Sequence, residues 1–186
     1  MKWRKKPKTI LSNFLEMQAV AVFNTKEIEG EVVASEYKRG IKIAAHFTKL
    51  PPGKHGFHIH KAGDLRGEGC KGLCEHYDVG NHEHGGPPES DEDKGGKRPP
   101  QRHLGDLGNV EVGTYEYILP NVSVRDLWGR SMIVHEDEDD LGKGPFEDSK
   151  VTGHAGKRMG CAIFGRVACV TDTKLKKNKT RKHSRS

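Results

Sequence analysis

Six histidines and one aspartate between positions 58 and 135 limit what this chain can fold into: His58, His60, His76, His84, His103, Asp106 and His135. Ligands this scattered serve a metal only if the fold draws distant segments to one point. Their spacings are those a pair of neighbouring metal ions would demand. A single histidine followed by glycine is usually a packing or surface residue, but an ordered set of seven ligand-type side chains is not. The segment Gly56-Phe57-His58-Ile59-His60 shows the local logic. Strand side chains alternate, so His58 and His60 share one face while Phe57 and Ile59 take the other. That predicts a half-buried strand carrying two imidazoles side by side.

The rest of the sequence is β-like. Short alternating or apolar runs occur at Ala19–Phe23, Glu31–Ala34, Ile41–Phe47, Val110–Val112, Tyr115–Leu119, Ser131–Val134 and Ala162–Phe164. Turn residues separate them, and no stretch carries a helical period of comparable length. With 23 glycines and 9 prolines in 186 residues, a loop-rich all-β domain is expected. The length suits one such domain with a real core.

The ordered motifs GFHIH, GC…H, HGGP, RHLGDLGNV, VHE, DDLGKG and HAGKRMGC resemble those of the copper–zinc superoxide dismutases. The resemblance covers about residues 17 to 170. It implies a flattened eight-stranded Greek-key β-barrel, an immunoglobulin-like sandwich with long metal-binding and electrostatic loops. It also implies the reaction: two superoxide anions and two protons become dioxygen and hydrogen peroxide through Cu(II)/Cu(I) cycling.

Residue by residue, the resemblance implies copper on His58, His60, His76 and His135. It implies zinc on His76, His84, His103 and Asp106, with His76 shared. One imidazole can serve two metals only when both nitrogens are deprotonated, which two nearby cations favour. Three imidazoles and a carboxylate suit a structural zinc, and of the two metals only copper can change oxidation state. His76 would carry a proton to the forming peroxide. Arg158 would dock the anion, a task suited to a planar guanidinium that is always charged. Asp139, one acid in the run Glu136–Asp140, would link a ligand of each metal.

The resemblance also pairs Cys70 with Cys161 in a disulfide. Closing about ninety residues would stabilise the fold by on the order of 4–5 kcal/mol. Cys74 and Cys169 have no counterpart and read as free thiols, with a second bridge as the alternative. The polar stretch between His84 and His103 is about ten residues longer than the family's, a modest entropic cost. It is expected to loosen zinc without abolishing its binding. In the substrate-guiding loop Val151 stands where lysine is common, leaving Lys150 or Lys157 to compensate, and His154 stands where asparagine is common. His46, His55, His82 and His183 read as ordinary polar residues. Ala62, Trp128 and Arg166 replace residues usual at the family's dimer contact, so a homodimer, an altered dimer and a monomer all stay open.

Charge is unevenly placed. The net value is +6, with +4 in residues 1–16 and +6 in residues 171–186, leaving −4 for the barrel between them. These boundaries divide the chain into a basic N-terminal extension (1–16), a barrel (17–170) and a basic tail (171–186). The tail reads as disordered, suited to polyanion contact or to no partner at all. No continuous apolar segment suggests a secretory leader or a membrane span, so the expected setting is cytoplasmic, in a host cell or virion if virally encoded. Two other classes are weighed: a non-catalytic metal carrier or chaperone-like domain, and a polyanion-binding protein. The complete ligand set with Arg158 favours the enzyme. Whether a copper chaperone loads it stays open.

Overall fold

The computed structural model describes residues 17–88 and 101–167. The basic extension, most of the long insert, Cys169, His183 and the basic tail therefore lie outside the described residues.

Among the described residues, nine antiparallel strands form two sheets. The first contains β1 (Gln18–Asn24), β2 (Glu29–Tyr37), β3 (Gly40–Lys49), β6 (Gly113–Pro120) and β9 (Gly165–Arg166), ordered β6-β3-β2-β1-β9. The second contains β4 (His55–His60), β5 (Asp106–Val110), β7 (Ser131–His135) and β8 (Arg158–Ile163), ordered β5-β4-β7-β8. The chain crosses between sheets after β3, β5 and β6, a Greek-key pattern. It crosses again at Phe164, so the final expected strand is split between the sheets as β8 and β9.

Alternation explains the core. Ala19, Ala21 and Phe23 of β1 and Ile41, Ile43, Ala45 and Phe47 of β3 point inward and are buried. Across the layer Phe47 meets Phe57 edge-on, with ring centroids 5.4 Å apart, and Phe23 lies 5.6 Å from Phe47. Aromatic pairs at such separations contribute beyond their buried area. Two four-residue helices interrupt the loops: α1 (Val124–Leu127), closed by a capping box from Ser123 and Asp126, and α2 (Ser149–Thr152).

Two expectations are corrected here. Every residue of β4 is buried, because loops cover its outer, imidazole-bearing face, so the strand is not half exposed. The strand expected at Val110–Val112 instead starts at Asp106 and ends at Val110, with Val112 exposed. Arg166 has its guanidinium 5.2 Å from the Trp128 ring, so its charge has a neighbour within the chain. Among the described residues no helix is long and apolar enough to cross a membrane.

Candidate metal centre

Central position in the second sheet places His58 and His60 beneath the loops. On one side β4 pairs with β7, which carries His135 just after a register shift. On the other it pairs with β5, where His58 lies opposite Asp106. The segment 75–77 runs along β4 like an extra strand: Lys61 N–H donates to Glu75 O at 3.0 Å and Tyr77 N–H to Ile59 O at 2.7 Å. That bridge sets His76 opposite His60.

Two overlapping clusters result. The side-chain ligand atoms of His58, His60, His76 and His135 lie within 4.8 Å of one another, and so do those of His76, His84, His103 and Asp106. All seven residues are brought together, and His76 belongs to both groups.

The donor set can be tested for metals through its tautomers. Neutral imidazole has one N–H and one lone pair, and an outer partner on one nitrogen fixes which is which. His58 Nε2 donates to Asp139 Oδ2 at 2.8 Å, His60 Nδ1 to the Cys74 carbonyl at 2.8 Å, and His135 Nδ1 to the Gly156 carbonyl at 3.2 Å. The opposite nitrogens, His58 Nδ1, His60 Nε2 and His135 Nε2, are buried with no hydrogen-bond partner. Three converging buried lone pairs are costly unless something electrophilic sits among them. Burial pushes the His58 and His60 imidazoles far below their ordinary pKa and takes His135 down to about 4, so all three present lone pairs.

The second cluster fits a cation by a different observation. Asp106 Oδ1 lies 2.8 Å from His76 Nδ1, 3.0 Å from His84 Nδ1 and 3.2 Å from His103 Nδ1. His84 faces carboxylates with both nitrogens, since its Nε2 is 2.9 Å from Asp139 Oδ1. A neutral ring cannot donate twice, so His84 needs either a proton or a metal ion at Nδ1. Burial alone would lower its pKa, but Asp106 and Asp139 outweigh that and push it up to about 9. Burial would likewise raise the Asp106 carboxyl, yet the bonds from His103, His76 and His84 hold it far below the usual range. Four donors around one point, three nitrogens and a carboxylate, are the set zinc takes.

Asp139 spans the clusters: one oxygen takes His58 and the other His84. It is buried, unlike Asp137 and Glu138 beside it. Arg158, half-buried at the start of β8, donates from Nη1 to Cys70 O at 2.8 Å and Lys71 O at 3.2 Å, and from Nη2 to Cys74 O. Cys70 and Cys161 form the expected disulfide, with Cα atoms 6.0 Å apart. Cys74 is free and exposed.

Sequence reasoning missed several positioning residues. Asn109 holds the Asp139 backbone from both sides, Nδ2 donating to Asp139 O at 2.9 Å and Oδ1 accepting from Asp139 N–H at 2.7 Å. Arg102 Nη1 donates to the carbonyls of His103 and Asp106. His55, read as an ordinary polar residue, is buried, and its Nδ1 lies 3.0 Å from His135 O and 3.1 Å from Glu136 O. Gly153 leaves room for the Asp139–His84 contact. Arg102 and Asn109 had a local signal, their place in the RHLGDLGNV motif. Lys150 is paired with Glu83 at 2.9 Å, and His154 with Asp148 at 2.7 Å.

A two-sheet Greek-key sandwich with two overlapping His/Asp clusters that share His76 defines a β-sandwich metalloprotein. A sequence model described as copper/zinc superoxide dismutase (SODC) matches residues 28–164. Superoxide dismutase [Cu-Zn] 5 of Dictyostelium discoideum is 36% identical over 158 residues, covering 80% of this chain and 97% of that protein. The superoxide dismutase [Cu-Zn] of Paramecium bursaria Chlorella virus 1 is 37% identical over 158 residues, 80% of this chain and 78% of that protein. Among solved structures, the crystal structure of the clock protein EA4 superposes with a TM-score of 0.67 at 32% identity, covering 81% of this chain and 94% of that one. The chain belongs to the copper/zinc superoxide dismutase family.

Proposed function

We propose that this oxidoreductase converts two superoxide anions and two protons to dioxygen and hydrogen peroxide, with His58, His60, His76 and His135 holding copper. His76, His84, His103 and Asp106 hold zinc. The observation that carries the copper assignment is the trio of buried, unpartnered nitrogens on His58, His60 and His135. When bound, copper supplies the one-electron Cu(II)/Cu(I) chemistry that no side chain here possesses.

The chain's own groups do the rest. Arg158 spends three of its five N–H donors on loop carbonyls, which fixes its plane and leaves two for a small anion. His76 is tied to Asp106 through Nδ1, so Nε2 is the atom that holds and releases a proton within the copper set. Burial lowers its pKa, which favours giving that proton up. Asp139 keeps the His58 and His84 rings in their tautomers and couples the two sets. The covering loops exclude bulk water from the imidazoles. The body's charge of −4 does not bar an anionic substrate, because the local field at a cationic entrance outweighs net charge.

The test is pulse radiolysis on protein of verified copper and zinc content. A rate per copper within about tenfold of ~10⁹ M⁻¹s⁻¹ is expected, since this class of enzyme works near the diffusion limit. A rate no better than free copper with both sites filled would replace the enzyme reading with that of a metal carrier.

A further inference from the structure

The first and last described strands meet at one end of the first sheet. There β1 lies between β9 and β2: Gln18 faces Ser35, and Val167 N–H donates to Gln18 O at 3.3 Å. Residues 1–16, net +4, and residues 171–186, net +6, therefore join the fold at neighbouring positions. The strand β2 ends here too, turning through Lys38 and Arg39 into β3. The segment 121–130 lies across the same end. Asn121 N–H donates to Arg39 O, Val124 N–H to Glu36 Oε1 and Gly129 N–H to Phe164 O.

The folded surface at this end carries the same sign. Lys38, Arg39, Arg125 and Arg166 are exposed, and none has an acidic partner among the described residues. Glu36 and Asp126, the acids on these segments, accept backbone N–H bonds from Val124 and Ser123. At the opposite end of the sheets the lysines are paired instead, Lys49 with Glu29 and Lys54 with Glu138. Two of the four cations also lie over half-buried aromatic rings. Lys38 Nζ is 5.2 Å from the centre of Tyr37, and the Arg166 guanidinium is 5.2 Å from that of Trp128. Cations set beside aromatic faces suit a ligand that offers phosphates and unstacked bases together.

We propose that this end of the sandwich, with the two basic segments joined to it, binds single-stranded nucleic acid. Lys38, Arg39, Arg125 and Arg166 contact the phosphodiester backbone, and unpaired bases stack on Tyr37 and on the Arg166–Trp128 pair. The +4 and +6 of the joined segments supply the long-range attraction that draws a polyanion to this end. A second copy of the chain is a poor occupant, since its cations would face these across the contact. A sulfated glycan would satisfy the charge but has no bases to set on the rings. The inference is separate from the dismutase reading, because it uses no metal ligand.

The test separates charge from stacking. Full-length, metal-loaded protein is titrated into labelled oligouridylate and oligodeoxythymidylate of about 20 nucleotides, read by fluorescence anisotropy over a range of salt. Binding of single strands at about 0.15 M salt is expected, and the tighter of the two tells RNA from DNA. Lys38→Ser, Arg39→Ser, Arg125→Ser and Arg166→Ser combined should weaken binding. The slope of log affinity against log salt should become shallower by up to about 2.8, four contacts at about 0.7 each. Tyr37→Leu and Trp128→Leu should each weaken binding by roughly fivefold or more at unchanged slope. Melting curves and metal content verify that each variant folds, and Tyr37→Leu decides alone if Trp128→Leu does not. No binding at that salt overturns the proposal, as does wild-type affinity in the fourfold serine variant. Aromatic variants that bind like the wild type also overturn it, since they would leave charge alone.

Discussion

Gly153 caps α2 with φ +70° and packs against the carboxylate that joins the two ligand sets. A Cβ there would lie 2.1 Å from Asp139 Oδ1 and 2.4 Å from His84 Nε2, well inside the 3.0 Å that real Cβ contacts essentially never breach. In Gly153→Ala the oxygen must retreat by about 0.9 Å, the difference between 3.0 and 2.1 Å. The 2.9 Å His84–Asp139 bond does not survive that shift, and the Leu141 N–H bond to the same oxygen is stretched. Hydrogen bonds to charged groups contribute about 1.5–3 kcal/mol, and outer partners of metal ligands typically change metal affinity by roughly 10–100-fold.

Zinc affinity of Gly153→Ala is therefore expected to fall by about 10–100-fold, some 1.4–2.8 kcal/mol, in competition with a chromophoric chelator. The backbone adds a separate cost of about 1–2 kcal/mol for a left-handed alanine. Gly53→Ala separates the two effects. Gly53 has φ +107° but nothing within 4 Å of its added carbon, so it carries backbone strain alone. It should lower the melting temperature while leaving zinc affinity unchanged. If Gly153→Ala loses no more zinc affinity than Gly53→Ala, the Asp139 bridge does not govern zinc binding and the reasoning fails.

Three further outcomes follow from the same geometry. Cys161→Ser removes a cross-link between residues 91 apart and should lower unfolding free energy by on the order of 4–5 kcal/mol in chemical denaturation. Arg158→Ala should lower the rate per copper by roughly tenfold or more, with Arg158→Lys between it and the wild type because a lysine keeps the charge but loses the fixed fork. Metal-free protein should be most stable near the ordinary histidine pKa. His84, raised to about 9, contributes stability that is complete below about 6.5 and lost as pH rises through 9. His135, lowered to about 4, makes the native state refuse a proton the unfolded chain accepts, so stability falls as pH drops from about 6.5 toward 4. Denaturation midpoints that rise steadily from pH 6.5 to 9 in chelated protein would contradict the His84 assignment.

Local pattern made some features legible and left others hidden. Alternation at 57–60 put two imidazoles on one face, and the inward residues of β1 and β3 could be read the same way. Coverage of that face by loops could not be read, because it depends on segments tens of residues away. Asp139 differs from the adjacent acids only through what reaches it: Asn109 from β5, His58 from β4 and His84 from the metal loop. The burial of His55 is hidden for the same reason, since the carbonyls that face its Nδ1 lie about 80 residues further along the chain. The split of the last strand at Phe164 is likewise a pairing fact, since Gly165 and Arg166 face Val20 and Ala19 rather than β7.

The outer partners of the copper-set rings differ in kind, and the difference decides how the site can fail. His58 and His76 are oriented by carboxylates, Asp139 and Asp106, which point substitutions can remove. His60 and His135 are oriented by the backbone carbonyls of Cys74 and Gly156, which no substitution deletes. Their orientation is therefore stored in the conformation of two loops rather than in side-chain identity. The loop at Cys74 is held by three bonds to Arg158 and by the bridge from Cys70 to Cys161. Cutting that bridge acts on His60 through a carbonyl as well as on the unfolded chain through entropy. It follows that losing the disulfide should weaken copper binding more than zinc binding, because two rings of the copper set, His60 and His76, depend on that loop, whereas the zinc set has only His76 there.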